Sequence, residues 1–151
     1  MYSFRLARKS DLAEIVRLLA DDDLGSAREV VSDPIDARYL SAFAAIEADA
    51  NQMLAVASDA DDQVVGCLHL SFIPGLSRAG MWRGQIESVR IARDFRGSGL
   101  GSEFIEWAIA QCVERGCGIV QLTSDKARTD SIRFYEKLGF LASHEGLKRS
   151  L

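Results

Sequence analysis

A glycine-rich segment is the part of the sequence whose residue types point most directly to chemistry. Residues 96–102 read Arg-Gly-Ser-Gly-Leu-Gly-Ser, with a glycine at every second position from Gly97 to Gly101. Glycine lets a backbone turn tightly and approach a ligand with no Cβ in the way. If a helix begins here, its first amides are unpaired and its dipole adds positive potential, which favours phosphate. Arg96 adds a fork of charged donors, so the segment predicts a phosphate-binding loop.

This segment does not match two well-known glycine-rich motifs. The dinucleotide-binding fingerprint GxGxxG needs a third glycine where Ser102 stands, and it belongs to an early βαβ unit. A Walker A loop ends in Gly-Lys-Ser/Thr, whereas this segment continues as Gly101-Ser102-Glu103. A tight strand-to-helix turn that binds nothing is the alternative that remains open at this point.

The composition is that of an ordinary globular protein. The chain has 151 residues, of which 48% are hydrophobic and 26% charged, with a net charge of −4. This length suffices for one domain with one core, so residues 1–151 are expected to form a single domain. We find no basic surplus, no apolar run long enough to cross a bilayer and no signal-peptide pattern at the start. These features favour a cytoplasmic protein without nucleic-acid or membrane partners.

The cysteines do not indicate a metal site. Cys67, Cys112 and Cys117 form no CxxC pair and have no His/Cys spacing suited to zinc. We therefore expect reduced cysteines that act as apolar fillers, and no metal.

Hydrophobic periodicity predicts an alternation of strands and helices along the chain. Ser10 and the pair Asp33-Pro34 are typical of helix starts, and Gly116 and Gly139 of helix ends. Strands are predicted over residues 2–7, 53–58, 64–73, 85–92, 118–123 and from 140 onward, with helices after 10, after 33, over 99–115 and over 129–138. This order predicts an α/β (α+β) fold, in which about four helices flank both faces of a central mixed sheet.

The glycine-rich loop and its neighbours resemble the GNAT superfamily of N-acetyltransferases. Arg96-x-x-Gly99-x-Gly101 matches the Arg/Gln-x-x-Gly-x-Gly/Ala motif whose loop cradles the pyrophosphate of acetyl-CoA in that family. Residues 86–91 (Ile-Glu-Ser-Val-Arg-Ile) resemble the family's fourth strand, and residues 134–140 (Phe-Tyr-Glu-Lys-Leu-Gly-Phe) its tyrosine-bearing helix. The resemblance covers most of residues 84–140, whereas the first 80 residues match only in element order.

The resemblance implies a set of cofactor-binding residues. In GNAT proteins the fourth and fifth strands part at a bulge, and the pantetheine arm of acetyl-CoA lies in the gap. Carried over, the backbone of Val89 and Ile91 pairs with that arm, and the Val89 amide donates to the oxyanion of the tetrahedral intermediate. The implied cofactor-binding residues are Val89, Ile91, Arg96, Gly97, Ser98, Gly99, Leu100, Gly101, Ser102 and Arg128.

Glu87 and Tyr135 are the catalytic candidates. An aliphatic amine must lose a proton before it attacks, and the resemblance implies a base-like carboxylate at Glu87 on the fourth strand. We expect burial in this otherwise apolar strand to raise its pKa, although Glu87 could instead bind a cationic substrate or pair with Arg90 or Arg93. The resemblance implies Tyr135 as the general acid for the departing thiolate. Gln85, expected on the same face as Glu87, could orient substrate or water.

Several residues outside the main motif depart from the family pattern or are expected to have no catalytic role. Arg128 stands where the family often has asparagine, so a contact with the cofactor would be made by a guanidinium group instead of an amide. Structural or solvent roles are expected for His69 and His144, and Trp82 either lines the acceptor pocket or is exposed. The acidic run at residues 21–23 either attracts a polyamine or is simply solvated.

The resemblance thus implies acetyl transfer from acetyl-CoA to a primary amine of a small molecule, by direct attack in a ternary complex. A protein N-terminus or a lysine as acceptor, and a non-catalytic CoA-binding regulatory module, are the alternatives. A homodimer is left open because no interface signature stands out.

Overall fold

A five-stranded mixed sheet is the framework of the computed structural model, which describes residues 1–151. The spatial order of the strands equals their order in the chain. Neighbours among the first four strands are antiparallel, and the fourth and fifth are parallel, which confirms the predicted mixed sheet. The strands are β1 (Ser3–Leu6), β2 (Gln52–Ser58), β3 (Val64–Ile73), β4 (Arg83–Ile91) and β5 (Ile119–Leu122).

Six helices accompany the sheet, two of them only four residues long. They are α1 (Leu12–Ala20), α2 (Asp23–Ser26), α3 (Ala37–Ala48), α4 (Ser77–Gly80), α5 (Leu100–Glu114) and α6 (Ser131–Lys137). None of them is both long and apolar enough to cross a membrane.

The expected helix starts at Ser10 and at Asp33-Pro34 are wrong. Ser10 lies inside a 3-10 turn at Lys9–Asp11, where the Asp11 carboxylate accepts the Arg8 N–H at 2.7 Å. Further on, Asp36 caps α3, because its side chain accepts the Arg38 N–H at 2.9 Å. The Asp36 carboxylate thus decides where α3 begins, whereas α1 follows the 3-10 turn directly and its N-cap Asp11 makes no side-chain capping bond. Sequence pattern alone leaves several possible capping residues to choose from.

Helices pack on both faces of the sheet, as predicted. On one face, α5 contributes Leu100, Phe104 and Ala108 to a cluster that includes Leu68 of β3 and Ile86 of β4. On the other face, α1 and α3 cover Val56 of β2 and Cys67 of β3. This second cluster covers only part of its face, so the rest of the sheet there carries polar side chains.

The expected strand from Phe140 onward is wrong. The backbone bonds of this tail are local, as in Phe140 N–H to Tyr135 O at 3.1 Å, and Leu141 and Leu147 are 84% and 94% exposed. Polar residues and a glycine at 143–146 interrupt the alternation that a half-buried strand needs. Consequently β5 is an edge strand in this structure.

The close approach of α5 to β4 depends on Gly84. A Cβ built on Gly84 would lie 2.3 Å from the Sγ of Cys112, which is fully buried at the end of α5. The absence of a side chain at residue 84 therefore sets how closely α5 lies against the sheet. It also positions the first turn of α5, where the glycine-rich loop ends.

We expect Gly84→Ala to lower the free energy of unfolding by about 1–3 kcal/mol through overpacking. Combining it with Cys112→Ala, which removes the clashing sulfur, should recover part of the loss, so the two effects will not add. Chemical denaturation of both single variants and the double variant measures this. Gly146→Ala is the control, because its Cβ would meet Thr123 at an ordinary 3.6 Å. Additive effects in the double variant would contradict the packing account.

Candidate active site

The glycine-rich loop leads into the N-terminus of α5 with its amides free. Gly99 is the N-cap and has φ of 91°, a left-handed conformation that favours glycine. No backbone carbonyl accepts the N–H groups of Gly97, Ser98, Gly99, Gly101 or Ser102. The Ser98 hydroxyl donates to the Phe95 carbonyl at 2.6 Å and so holds the loop in place. Such a concentration of unpaired amides at a helix N-terminus is suited to phosphate oxygens.

The strand β5 pairs with β4 only along the first half of β4. Ladder contacts run from Arg83 with Ile119 to Ile86 with Leu122, and beyond them the two strands part. The Ala92 N–H bonds to Val65 on β3, so the backbone amides of Ile91 and Val89 are expected to point the other way, into the gap. The gap therefore offers an unpaired strand edge to a ligand.

Two arginine side chains donate hydrogen bonds to backbone carbonyls along this free edge of β4. The Arg90 side chain donates to the Val89 carbonyl at 2.8 Å, and Arg96 Nε donates to the Ile91 carbonyl at 3.0 Å. Arg96 thus folds back onto β4 instead of standing free at the edge of the loop. Both carbonyls retain a second lone pair, and the amides beside them remain available.

A β-bulge marks the place where the strands part. Ser88 has φ of 57°, unusual for a residue other than glycine, and the pairing of β3 with β4 shifts between Cys67 and His69. Glu87, directly before the bulge, lies opposite His69 and is exposed. The expected burial of Glu87 is therefore wrong, because no helix covers this part of the sheet. Glu87 also has no ion-pair partner within 4.0 Å, so the alternative pairings with Arg90 and Arg93 are not observed.

A row of polar side chains crosses the sheet beside Glu87. Gln52, Ser71, Gln85 and Gln121 are register neighbours on four strands, and Gln121 donates to Gln85 at 2.7 Å. Gln85 stands two residues before Glu87 and thus on its face, as predicted. The row provides amide and hydroxyl groups that can bind a polar ligand next to the carboxylate.

His69 joins this polar row as a neutral base. Its Nε2 lies 2.7 Å from Gln52 Oε1, which also accepts the Ser71 hydroxyl. Since a carbonyl oxygen only accepts, the imidazole proton is on Nε2 and Nδ1 is an acceptor. Burial lowers the pKa of His69 in spite of the nearby Glu87 charge, so the ring is neutral at pH 7.

Tyr135 on α6 lies at the other wall of the gap. Its ring makes edge contacts with Phe134 and Phe140, at centroid distances of 5.0 and 5.7 Å. The phenol makes no hydrogen bond within the protein. Burial raises the pKa of Tyr135, against the opposing charges of Arg90 and Arg128, so the hydroxyl carries its proton at neutral pH. A half-buried, protonated phenol can donate a proton to a ligand in the gap.

The acidic run at residues 21–23 is not simply solvated, because two of its carboxylates pair with arginines. Asp21 pairs with Arg93 at 3.0 Å and with Arg96 at 3.5 Å. Asp22 pairs with Arg128 and lies 3.8 Å from Arg90. The segment between α1 and α2 is thereby tied to the glycine-rich loop and to the gap between the strands.

Residues of β4, β5, α6 and the segment that joins β5 to α6 line a cleft of about 140 Å³. Ser124, which sequence reasoning missed, presents a buried hydroxyl there without a hydrogen-bond partner. Arg90 was considered only as a partner of Glu87, although an arginine within an apolar strand was itself a signal. Trp82 and His144 do not line this cleft. Trp82 is exposed, which was the second of the two possibilities considered for it. The lining residues are Ile86, Glu87, Val89, Arg90, Leu122, Thr123, Ser124, Asp125, Arg128, Ser131 and Tyr135.

A phosphate-suited loop beside a gap with an unpaired strand edge defines a class of protein that binds an extended, phosphate-bearing cofactor. Residues 13–140 match the Acetyltransferase (GNAT) family, so the chain belongs to that family. It is therefore an acetyl-CoA-dependent N-acetyltransferase.

Individual relatives agree with this assignment. The chain is 29% identical to a glucosamine 6-phosphate N-acetyltransferase of Trypanosoma brucei brucei, over 94% of this chain and 99% of that one. An aminoalkylphosphonate N-acetyltransferase of Salmonella typhimurium is 29% identical over 59% of this chain and 57% of its own length. A crystal structure described as a transcriptional regulator from Bacillus halodurans C-125 is 46% identical, covers both chains fully and superimposes with a TM-score of 0.97.

We expect Gly99→Val to weaken acetyl-CoA binding at least tenfold, because a side chain would stand among the free amides and strain a left-handed residue. Gly116→Val is a matched control at the other end of α5, since its φ is 78° and its Cβ likewise meets nothing within 4 Å. Both variants should lose similar stability, but only the first should lose affinity in calorimetric titration with acetyl-CoA. Equal affinity in the two would remove the loop from the cofactor site.

Proposed function

We propose that this enzyme transfers the acetyl group of acetyl-CoA to the primary amine of a small molecule, by direct attack in a ternary complex. The observation that carries the proposal is the parting of β4 and β5 at the Ser88 bulge. It creates one cleft that is lined by both Glu87 and the protonated Tyr135. The cleft is small, which favours a small acceptor over a folded protein surface. The Trypanosoma brucei brucei and Salmonella typhimurium relatives are named for small amines that carry a phosphate or a phosphonate.

The cofactor is proposed to lie along the loop and the free edge of β4. The amides of the loop and of the first turn of α5 would bind the pyrophosphate, and Val89 and Ile91 would pair with the pantetheine arm. This arrangement directs the thioester carbonyl towards the Val89 amide. A backbone N–H held in this way would stabilise the negative charge that develops on the oxygen during attack.

Glu87 is proposed as the base and Tyr135 as the acid. An incoming ammonium group would transfer its proton to Glu87, directly or through a water molecule, and then attack the thioester carbon. When the tetrahedral intermediate collapses, the C–S bond breaks and the thiolate takes the proton of the Tyr135 phenol. The acetylated nitrogen then gives up its second proton, which restores the phenol, and Glu87 releases the first proton to water. A phenol whose pKa is raised by burial keeps this proton available at neutral pH.

A CoA-binding regulatory module is the second candidate function. The specific observation in its favour is the description of the Bacillus halodurans relative as a transcriptional regulator. Free thiol release from acetyl-CoA distinguishes the two candidate functions. It is measured with a panel of small amines and with peptides that offer an N-terminus or a lysine. Release that depends on a small amine supports our proposal. Selective binding of acetyl-CoA without turnover of any amine would favour the regulatory module.

We expect Tyr135→Phe to lower kcat about 100-fold or more while the affinity for acetyl-CoA is retained. The substitution removes a hydroxyl with no partner in the protein and keeps the ring contacts, so stability should hardly change. Steady-state kinetics and calorimetry on the same preparation measure the two quantities. An unchanged kcat would show that Tyr135 only packs and is not the general acid.

We expect Glu87→Gln to lower kcat by 100-fold or more at pH 7, since an amine of pKa near 10.4 then has no proton acceptor. The deficit should shrink as the pH rises towards 9.5, because each pH unit gives about tenfold more neutral amine in solution. A pH series of kcat for the wild type and the variant measures this. A higher KM with unchanged kcat would instead assign Glu87 to substrate binding.

A further inference from the structure

Two arginines approach each other across the cleft. Arg90 extends from β4, Arg128 comes from the loop before α6, and both turn to Asp22 between α1 and α2. Their side chains are only 18% and 27% exposed. Guanidinium groups withdrawn from water to this extent need anions nearby, since burial of a charge is costly unless it is paired.

Asp22 alone does not satisfy this pair of cations. Arg90 Nε is buried without any hydrogen-bond partner, and its 3.8 Å separation from Asp22 is too long for a hydrogen bond. Arg28 adds further positive charge near Arg90. The other carboxylates that line the cleft are Glu87 and Asp125, and neither lies within ion-pair distance of these arginines. Asp125 instead accepts the Ala127 N–H at 2.9 Å.

The incompletely paired arginines lie next to the proposed catalytic groups. Glu87 faces His69 and Arg90 faces Cys67, so the two stand at successive positions on one side of β4 across the bulge. Two residues of extended strand span about 7 Å, which brings a carboxylate and a guanidinium within reach of one small molecule. Both arginines are also close enough to Tyr135 to lower its pKa against the effect of burial.

We propose that Arg90 and Arg128 bind the phosphate or phosphonate group of an acceptor whose amine meets Glu87. The inference rests on the proposed function and narrows its acceptors to anionic amines. It assigns Arg128 to the acceptor rather than to the cofactor. Planar guanidinium groups suit tetrahedral oxyanions because they offer paired donors. In the free cleft Asp22 pairs with Arg128 and competes with the acceptor's anion for that guanidinium group.

The first experiment compares acceptors that differ in charge. At saturating acetyl-CoA, kcat/KM is measured by thiol release for O-phosphoethanolamine against ethanolamine, and for 2-aminoethylphosphonate against propylamine. We expect the anionic member of each pair to be preferred about 10- to 100-fold, as charge-assisted hydrogen bonds imply. Equal values would overturn the anion site while the proposed acetyl transfer stands.

Substitutions then test the residues. Arg90→Gln and Arg128→Gln should each raise KM for the anionic acceptors about tenfold or more, a larger effect than on KM for the neutral acceptors or on the affinity for acetyl-CoA. Arg133→Gln is a matched control, because it removes an exposed arginine from α6 outside the cleft. A loss of acetyl-CoA affinity in place of acceptor affinity would show that the arginines bind the cofactor, and this would overturn the proposal.

Asp22→Asn separates anion binding from a purely structural ion pair. Asparagine can still accept the Gly25 N–H, so the cap of α2 is kept. If Arg90 and Arg128 bind the acceptor, loss of the competing carboxylate should lower KM for the anionic amines. A rise in KM equal to that of Arg128→Gln would overturn the proposal, because the ion pair itself would then be what matters.

Binding without turnover makes the two proposals distinguishable. Ethylphosphonate lacks an amine, so its calorimetric binding does not depend on catalysis. Binding to the wild type that is lost in Arg128→Gln supports the anion site even if no amine is acetylated. Equal binding or equal lack of binding in the two proteins would overturn it.

Discussion

The parting of β4 from β5 is the constraint on which the rest of the site depends. The parallel ladder ends at Ile86 and Leu122, and the left-handed Ser88 bends β4 at that point. A parallel pair that stayed closed would satisfy its own amides and leave no edge for a ligand. Because the strands part, Val89, the exposed Glu87 and Tyr135 all line one cleft.

The packing of α5 supports this opening from the buried face. Gly84 allows Cys112 to lie directly on β4, while Leu100, Phe104 and Ala108 fill the space between the helix and the sheet. This contact sets where the first turn of α5 lies, and therefore where the glycine-rich loop presents its amides. The stability of the core and the geometry of the cofactor loop are in this way parts of one arrangement.

Charge links the N-terminal half of the chain to the site. Asp21 pairs with Arg93 and Arg96 near the loop, and Asp22 pairs with Arg128 and lies by Arg90 in the cleft. Although its partial burial opposes the shift, hydrogen bonds from the Gly25 amide and Arg128 lower the pKa of Asp22. This carboxylate therefore stays charged well into the acid range. The segment between α1 and α2 thus borders the cleft through electrostatic contacts that its sequence pattern does not reveal.

The sequence by itself determined the family, the mixed sheet with helices on both faces, and the loop from Arg96 to Ser102. These features follow from local rules, because periodicity, glycine spacing and helix-stop residues act over a few neighbours. It also indicated Glu87 and Tyr135 through their motifs. Tertiary structure alone decided that Glu87 is exposed, that Asp36 rather than Asp33 opens α3, and that the tail after Phe140 forms no strand. It also decided that Asp22, Arg90 and Arg128 meet, since contacts between residues 68 or more positions apart depend on how the sheet and helices pack and not on local pattern.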